Sequence, residues 1–263
     1  MSAAVLVGVD GSASALAAVD LAADEAALRK RPLRIVYVCQ WPSLRFARGS
    51  LPEELRTEGE QILGTARTRA RRRAPDVEVR TGVAAGDAAR VITEEADGAS
   101  MVVLGGHGGL GSVALRVAAQ ASAPILVARG APAAGGAVVL GLDGSPANQP
   151  AVDFAFDEAA RRQTRLVAVH AWSQPVYGAA ATMEDETRVL FEALAGWHEK
   201  YPEVDVRPVL VRTSPRQALT ARAERAQLVV LGQHGHGHAG FGSVTSAVLH
   251  HARSPVAVVP SLR

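Results

Sequence analysis

The chain has 263 residues, 48% of them hydrophobic and 21% charged, with a formal net charge of +2. That balance describes a globular protein, and no apolar run reaches the roughly 18 to 20 residues needed to span a bilayer. The small net charge decides nothing about nucleic acid, but 4% aromatic residues argues against a base-stacking surface, and the single cysteine, Cys39, excludes an internal disulfide.

The N-terminus, MSAAVLVGVDGS, enters a strand pattern with no basic segment before it. It does not read as a signal peptide, so a cytoplasmic location is expected. The apolar run AAVLVGV is a first strand, bounded by Asp10-Gly11-Ser12, and residues 13–30 carry alanine and leucine at helical spacing. LRIVYVCQW is a second strand, in which Cys39 reads as a buried thiol. After a proline-containing loop, residues 52–73 form a helix closed by Arg67, Arg69, Arg71, Arg72 and Arg73. Cations suit the negative end of a helix dipole, so this cluster reads as a solvated helix end. VEVRTGV alternates like a more exposed third strand, and Gly86-Asp87 caps a helix running to about Ala96. MVVLG is the fourth strand, followed by a glycine loop and a short helix, and PILVA is the fifth.

Residues 130–137, GAPAAGGA, then mark a boundary, giving a first domain over 1–130, a linker over 131–136 and a second domain over 137–263. The second half repeats the order: AVVLGL, a helix over 146–162, RLVAVHAW, a helix over 182–200, VDVRPVLV, a helix over 214–225, QLVVLG, a glycine loop, a helix over 243–252, and PVAVV. The duplication is visible residue by residue, because VLVGVDGSASALAAVDLAADEA from Val5 matches VVLGLDGSPANQPAVDFAFDEA from Val138. Alternating strands and helices imply an α/β fold: two repeated doubly wound domains, each a parallel sheet of five strands with right-handed crossovers. Ligands of such sheets bind beyond the carboxyl ends of the strands, where strand order reverses.

The strongest chemical signal is the run LVVLGQHGHGHAGFGSVTSAVLHHA, residues 228–252, and its earlier counterpart MVVLGGHGGLGSVALRVAAQA, residues 101–121. Each takes a strand through glycines into Gly-Ser at the head of a helix. Helix starts leave backbone N–H groups unpaired at the positive end of the dipole, which makes an anion cradle. Asp10 and Asp143 close the first strand of each repeat; they suit helix capping, a hydrogen bond to a ribose or base, or support of a metal on phosphates.

Rival chemistries are weaker. Gly106-His-Gly-Gly-Leu-Gly111 and Gly235-His-Gly-His-Ala-Gly240 match GxGxxG in form, but a dinucleotide fingerprint follows the first strand and needs a later acidic residue that PILVA and PVAVV lack. There is no GxxxxGK[ST]. His234, His236, His238, His250 and His251 crowd the second loop without a recognised metal-ligand spacing; His234 and His236 suit phosphate oxygens instead. No GxSxG elbow occurs, and no nucleophile, base and orienting acid assemble from the sequence. An enzyme is not expected, with slow nucleotide hydrolysis left open.

In VLVGVDGS and VVLGLDGS, GDAARVI and TSPRQAL, MVVLGGHG and LVVLGQHG, and GSVTSAVLHHARSPVAVVP, the chain resembles a tandem universal stress protein over nearly its whole length. The resemblance implies a nucleotide alpha-hydrolase-like sheet of order 3-2-1-4-5, pairing of the two repeats through their last strands, and possible further dimerisation. ATP-binding members carry GxxG, nine residues, then G[ST]. The second repeat has six residues between Gly235 and Gly242, and the first has two between Gly108 and Gly111. By resemblance, ATP or AMP, with or without magnesium, would meet Asp143, Ala171, Gly232, Gly235, Gly242, Ser243 and Thr245 in the second repeat. The corresponding set in the first is Asp10, Val38, Gly105, Gly108, Gly111 and Ser112, with Ala114 where the second has Thr245. The second repeat is therefore the favoured site of a nucleotide-binding stress regulator acting on an unknown protein partner. The alternative is a nucleotide-free interaction module whose shortened loops have lost the ligand.

Overall fold

The computed structural model describes residues 3–40, 53–106, 112–173, 182–234 and 242–261. The chain divides into two compact units, Met1–Ala128 and Arg129–Arg263.

Unit 1 runs β1 (Ala4–Val9), α1 (Ala13–Arg29), β2 (Leu33–Cys39), α2 (Glu53–Arg73), β3 (Val79–Ala85), α3 (Ala88–Ala96), β4 (Ala99–Gly105), α4 (Ser112–Gln120) and β5 (Ile125–Ala128). Its strands lie in the order β3-β2-β1-β4-β5, all parallel. Unit 2 runs β6 (Ala137–Leu142), a 3-10 turn (Pro146–Asn148), α5 (Gln149–Arg161), β7 (Leu166–Trp172), α6 (Met183–Leu194), α7 (Trp197–Lys200), β8 (Val206–Arg212), α8 (Pro215–Ala223), β9 (Ala226–Gly232), α9 (Ser243–His251) and β10 (Val256–Val259). Here the order is β8-β7-β6-β9-β10, again parallel, so both units have the expected 3-2-1-4-5 sheet. Even the register irregularity is duplicated, at Ala4/Val5 against β4 and at Ala137/Val138 against β9.

The central strands are apolar on both faces because helices cover both, as parallel sheets require. Val5, Val7, Val138 and Leu140 have no exposed surface. β3 and β8 stand at a sheet edge and share one half-exposed pattern, which explains the alternation in their sequences. Buried Cys39 ends β2. Two of the clustered arginines of α2 tie it to α1: Arg69 grips Asp20, and Arg73 grips Asp24, both with bidentate geometry.

Helix starts are set by side-chain caps. Ser12, Asp87, Thr182 and Ser214 accept the N–H three residues on, at α1, α3, α6 and α8. Asp10 is not the cap of α1; it accepts the Ser12 N–H at 3.0 Å and so shapes the turn before the helix. The expected single helix over 182–200 is divided, because Gly196 at φ +77 starts a new turn after Leu194. The third strand lies two residues later than the alternation suggested, at Val79–Ala85.

Both units bury a glutamate at the same place. Glu25 of α1 and Glu158 of α5 are 1% and 0% exposed, each paired with an arginine one turn on, Arg29 and Arg162.

Candidate functional site

In unit 2, β6 pairs with β7 on one side and β9 on the other. The chain leaving β6 and the chain leaving β9 therefore pass to opposite faces, and a cleft opens beyond the strand ends. The cleft is a cavity of about 1010 Å³. Its walls come from the ends of β6, β7 and β9, the first turn of α9, and one side of α6.

One corner is built for an anion. Gly232 ends β9, and the Thr245 hydroxyl, on the first turn of α9, donates to the Gly232 carbonyl at 3.0 Å. The chain departs at Gln233 and returns at Gly242, whose N–H donates to the Gln233 carbonyl at 3.2 Å, closing a neck. The helix proper begins with the Ser246 N–H donating to Gly242. The N–H groups of Ser243, Val244 and Thr245 precede that first helical bond, so they have no partner within the helix. Asp143, just beyond β6, accepts both the N–H and the hydroxyl of Ser145 on one oxygen, at 2.9 and 2.8 Å. Between them Gly144 holds φ +78, and a Cβ there would stand 2.2 Å from Val189 Cγ1, so the turn admits no side chain.

The opposite wall is more apolar. It carries Ala171 and Trp172 from β7 and Val189 from α6. His170, 5% exposed, crosses it. The Leu142 carbonyl can only accept, so His170 Nδ1–H donates to it at 3.0 Å. Nε2 then meets Glu186 Oε2 at 2.5 Å, a bond that holds a proton between imidazole and carboxyl. Both ring nitrogens are thus engaged, and the imidazole is fixed as a strut between β6 and α6 rather than presented as a free base.

Unit 1 has the same frame with different contents. Tyr37 occupies in β2 the register position that His170 holds in β7, opposite Val9 as His170 is opposite Leu142. Its ring lies against Gly59 of α2, where a Cβ would be 2.8 Å from Tyr37 Cδ1. Burial pushes the Tyr37 phenol above its ordinary range, with Glu58, Cys39 and Asp10 adding to the effect. Ile62 of α2 abuts Gly11, the counterpart of Gly144.

Of the residues named from sequence, the structure brings Asp143, Ala171, Gly232, Gly242, Ser243 and Thr245 to one cavity. In unit 1, Asp10 follows β1, Val38 lies in β2, Gly105 ends β4 and Ser112 opens α4. Gly108, Gly111 and Gly235 lie outside the described residues, as do His236 and His238. The remaining histidines do not converge: His234 is in the cavity wall, and His251 accepts from Arg216 at 3.0 Å, away from it. Among the described residues no cluster of three His, Cys, Asp or Glu side chains is placed to hold a metal. Cavity residues that escaped the sequence reading include Asn148, His170 and Glu186. Only the substitution of Asn148 for Ala15 between aligned repeats hinted at the first.

The sequence profile of the universal stress protein family matches residues 1–129 and 136–260. Relatives include two universal stress proteins of Mycobacterium tuberculosis. Rv2005c is 36% identical, over 97% of this chain and 96% of its own. Rv2623 is 35% identical, over 97% and 95%. Among solved structures, a universal stress protein from Archaeoglobus fulgidus has the same fold, with a TM-score of 0.80 at 17% identity and 98% of each chain covered.

Proposed function

The chain belongs to the universal stress protein family, and on that premise we propose that unit 2 binds an adenine nucleotide, AMP or ATP, and that occupancy, not turnover, is its signal. The observation that carries this reading is the meeting of a free helix start, Gly232, Gly242 and Asp143 in one cavity of about 1010 Å³ at the strand-order reversal. That volume suits a small-molecule ligand. In this reading phosphate oxygens take the N–H groups at the head of α9, Asp143 faces the ribose, and the base lies toward Ala171 and Trp172. Magnesium, when present, enters on the phosphates, since the described side chains do not form a cage for it.

The site's chemistry favours holding over cleaving. The His170 imidazole is occupied at both nitrogens, His234 meets the Ser261 hydroxyl through Nδ1 at 3.4 Å, and the other polar groups are backbone donors, hydroxyls, two carboxylates and a carboxamide. A ligand that binds only the folded, closed form stabilises it by mass action, which is enough to change partner choice without hydrolysis. Unit 1 serves as a scaffold in this reading, with Ala114 in place of Thr245 and the Tyr37 ring at the position of His170.

The test is to denature freshly purified protein, identify any released nucleotide by chromatography, and count equivalents per chain. One equivalent of AMP or ATP is expected, absent from a Gly232→Val variant. Protein that carries no nucleotide and gains no thermal stability in millimolar AMP or ATP would overturn the reading.

A further inference from the structure

We propose that Asn148 is the side chain that selects for a phosphorylated ligand in unit 2, its carboxamide donating to an oxygen of the phosphate attached to the nucleoside. The proposal rests on the nucleotide reading above and adds to it a residue that neither the sequence motifs nor the glycine loop point to.

Asn148 closes the 3-10 turn and stands at the N-cap position of α5, where asparagine ordinarily accepts a backbone N–H; here it makes no capping bond. The residue is 5% exposed, and its Oδ1 is fully buried with no hydrogen-bond partner among the described residues. Leaving a buried amide oxygen unpaired is costly, so such a group calls for a physical reason. Its position supplies one. Asn148 lines the cavity, and its amide nitrogen sits 3.0 Å from where a Cβ on Gly232 would be. The carboxamide therefore fills the notch left by Gly232, while Thr245 from the head of α9 bonds the carbonyl of that same residue. With Oδ1 at the buried end, the amide nitrogen is the end left to donate to a ligand in the cavity.

The neighbours decide which part of a ligand this is. The corner joins Asn148 to the start of a nine-residue helix, where backbone N–H groups and the dipole favour negative charge. The apolar wall at Ala171, Trp172 and Val189 is where a base would lie. Unit 1 gives the internal comparison. Its counterpart of Asn148 is Ala15 and its counterpart of Thr245 is Ala114. Gly105, the counterpart of Gly232, faces helix backbone instead, with a Cβ there falling 2.7 Å from the carbonyl of Ser14. Both polar side chains flanking the strand-end glycine are thus present in one unit and both are alanine in the other.

The experiment is calorimetric titration of the full chain with AMP and with adenosine, for wild type, Asn148→Ala and Asn148→Asp, with a thermal melt of each. A hydrogen bond to a charged group sets the expected size: Asn148→Ala weakens AMP roughly tenfold or more and leaves adenosine within about twofold. Asn148→Asp repels the phosphate and weakens AMP further, again sparing adenosine. Because the side chain has no hydrogen-bond partner among the described residues, Asn148→Ala is expected to melt no lower than wild type. Wild-type affinity for AMP in Asn148→Ala overturns the proposal and leaves the nucleotide reading standing. So does an equal loss for AMP and adenosine, which would make Asn148 part of the nucleoside wall. Wild-type protein that binds neither AMP nor adenosine, nor ATP in a parallel titration, overturns the nucleotide reading itself.

Discussion

Gly144 shows how little freedom the site leaves a single residue. Two constraints fall on it at once: a left-handed backbone, and Val189 Cγ1 at 2.2 Å from any added Cβ. Gly144→Val is expected to incur backbone strain and overpacking together, each about 1–3 kcal/mol, and to lower the denaturant midpoint of unit 2. Gly135 provides the control, since it holds φ +67 with nothing within 4 Å. Gly135→Ala should lose only the backbone part, on the order of 1 kcal/mol. Equal losses at the two positions in a urea titration would mean that the Val189 contact does not constrain the turn. A second residue-scale expectation concerns Glu158. It is wholly buried against Arg162, so Glu158→Ala strands a cation and should cost about 3–5 kcal/mol in the unit 2 transition. A change under about 1 kcal/mol would show that the arginine escapes to solvent.

At the scale of elements, Asp87 joins two helices with one carboxylate. It caps α3 through the Arg90 N–H and holds Arg116 of α4 in a bidentate pair at 2.8 Å. The Arg116 hydrogen bonds, then the Arg90 N–H, hold its pKa below the usual aspartate value. A depressed carboxylate stabilises the fold above its unfolded-state pKa, near 3.9, and loses that contribution as pH falls through the folded value. Asparagine caps equally well, so Asp87→Asn removes the charge pair alone. Wild type should melt above Asp87→Asn at pH 7, with the gap closing at and below about pH 4; a gap independent of pH would exclude the ion pair as its source. The elements themselves were legible because their signals are local: period-two and period-3.6 patterns, capping serines, and strands closed by glycine. The duplication then made one half a check on the other. What the sequence hid was pairing between elements. His170 and Glu186 are 16 residues apart in sequence and meet only when α6 docks on β7. Asn148 looked like one more position in a helix over 146–162, since nothing local reveals that its amide lies against Gly232 from β9. The break at Gly196 is the exception, a local signal masked in the sequence by apolar spacing that continues beyond it.

At the scale of the whole chain, two units share one framework but differ in what stands at the strand ends. Glu25–Arg29 and Glu158–Arg162 are kept in both, whereas Asn148, Thr245 and His170 have counterparts of another kind, Ala15, Ala114 and Tyr37. Hydrogen exchange should register that asymmetry. At a hundredfold excess of AMP over its dissociation constant, binding adds about 2.7 kcal/mol to the unit that holds it. Exchange is expected to slow in β6, β9 and the start of α9, with β1, β4 and α4 unchanged. Equal protection of both sets would place a working site in each unit.

The hydrogen bond from Gly242 to Gln233 has an engineering consequence. It ties the end of β9 to the start of α9 at the base of the segment between them. Loop entropy grows slowly, about 0.6 kcal/mol for each doubling of length. A splice that restores the three residues by which this segment falls short of nine would thus leave stability nearly untouched. If unit 2 holds a nucleotide as proposed, segment length becomes a dial for how many phosphates it can embrace, one that a designer can turn without redesigning the strand ends beneath it.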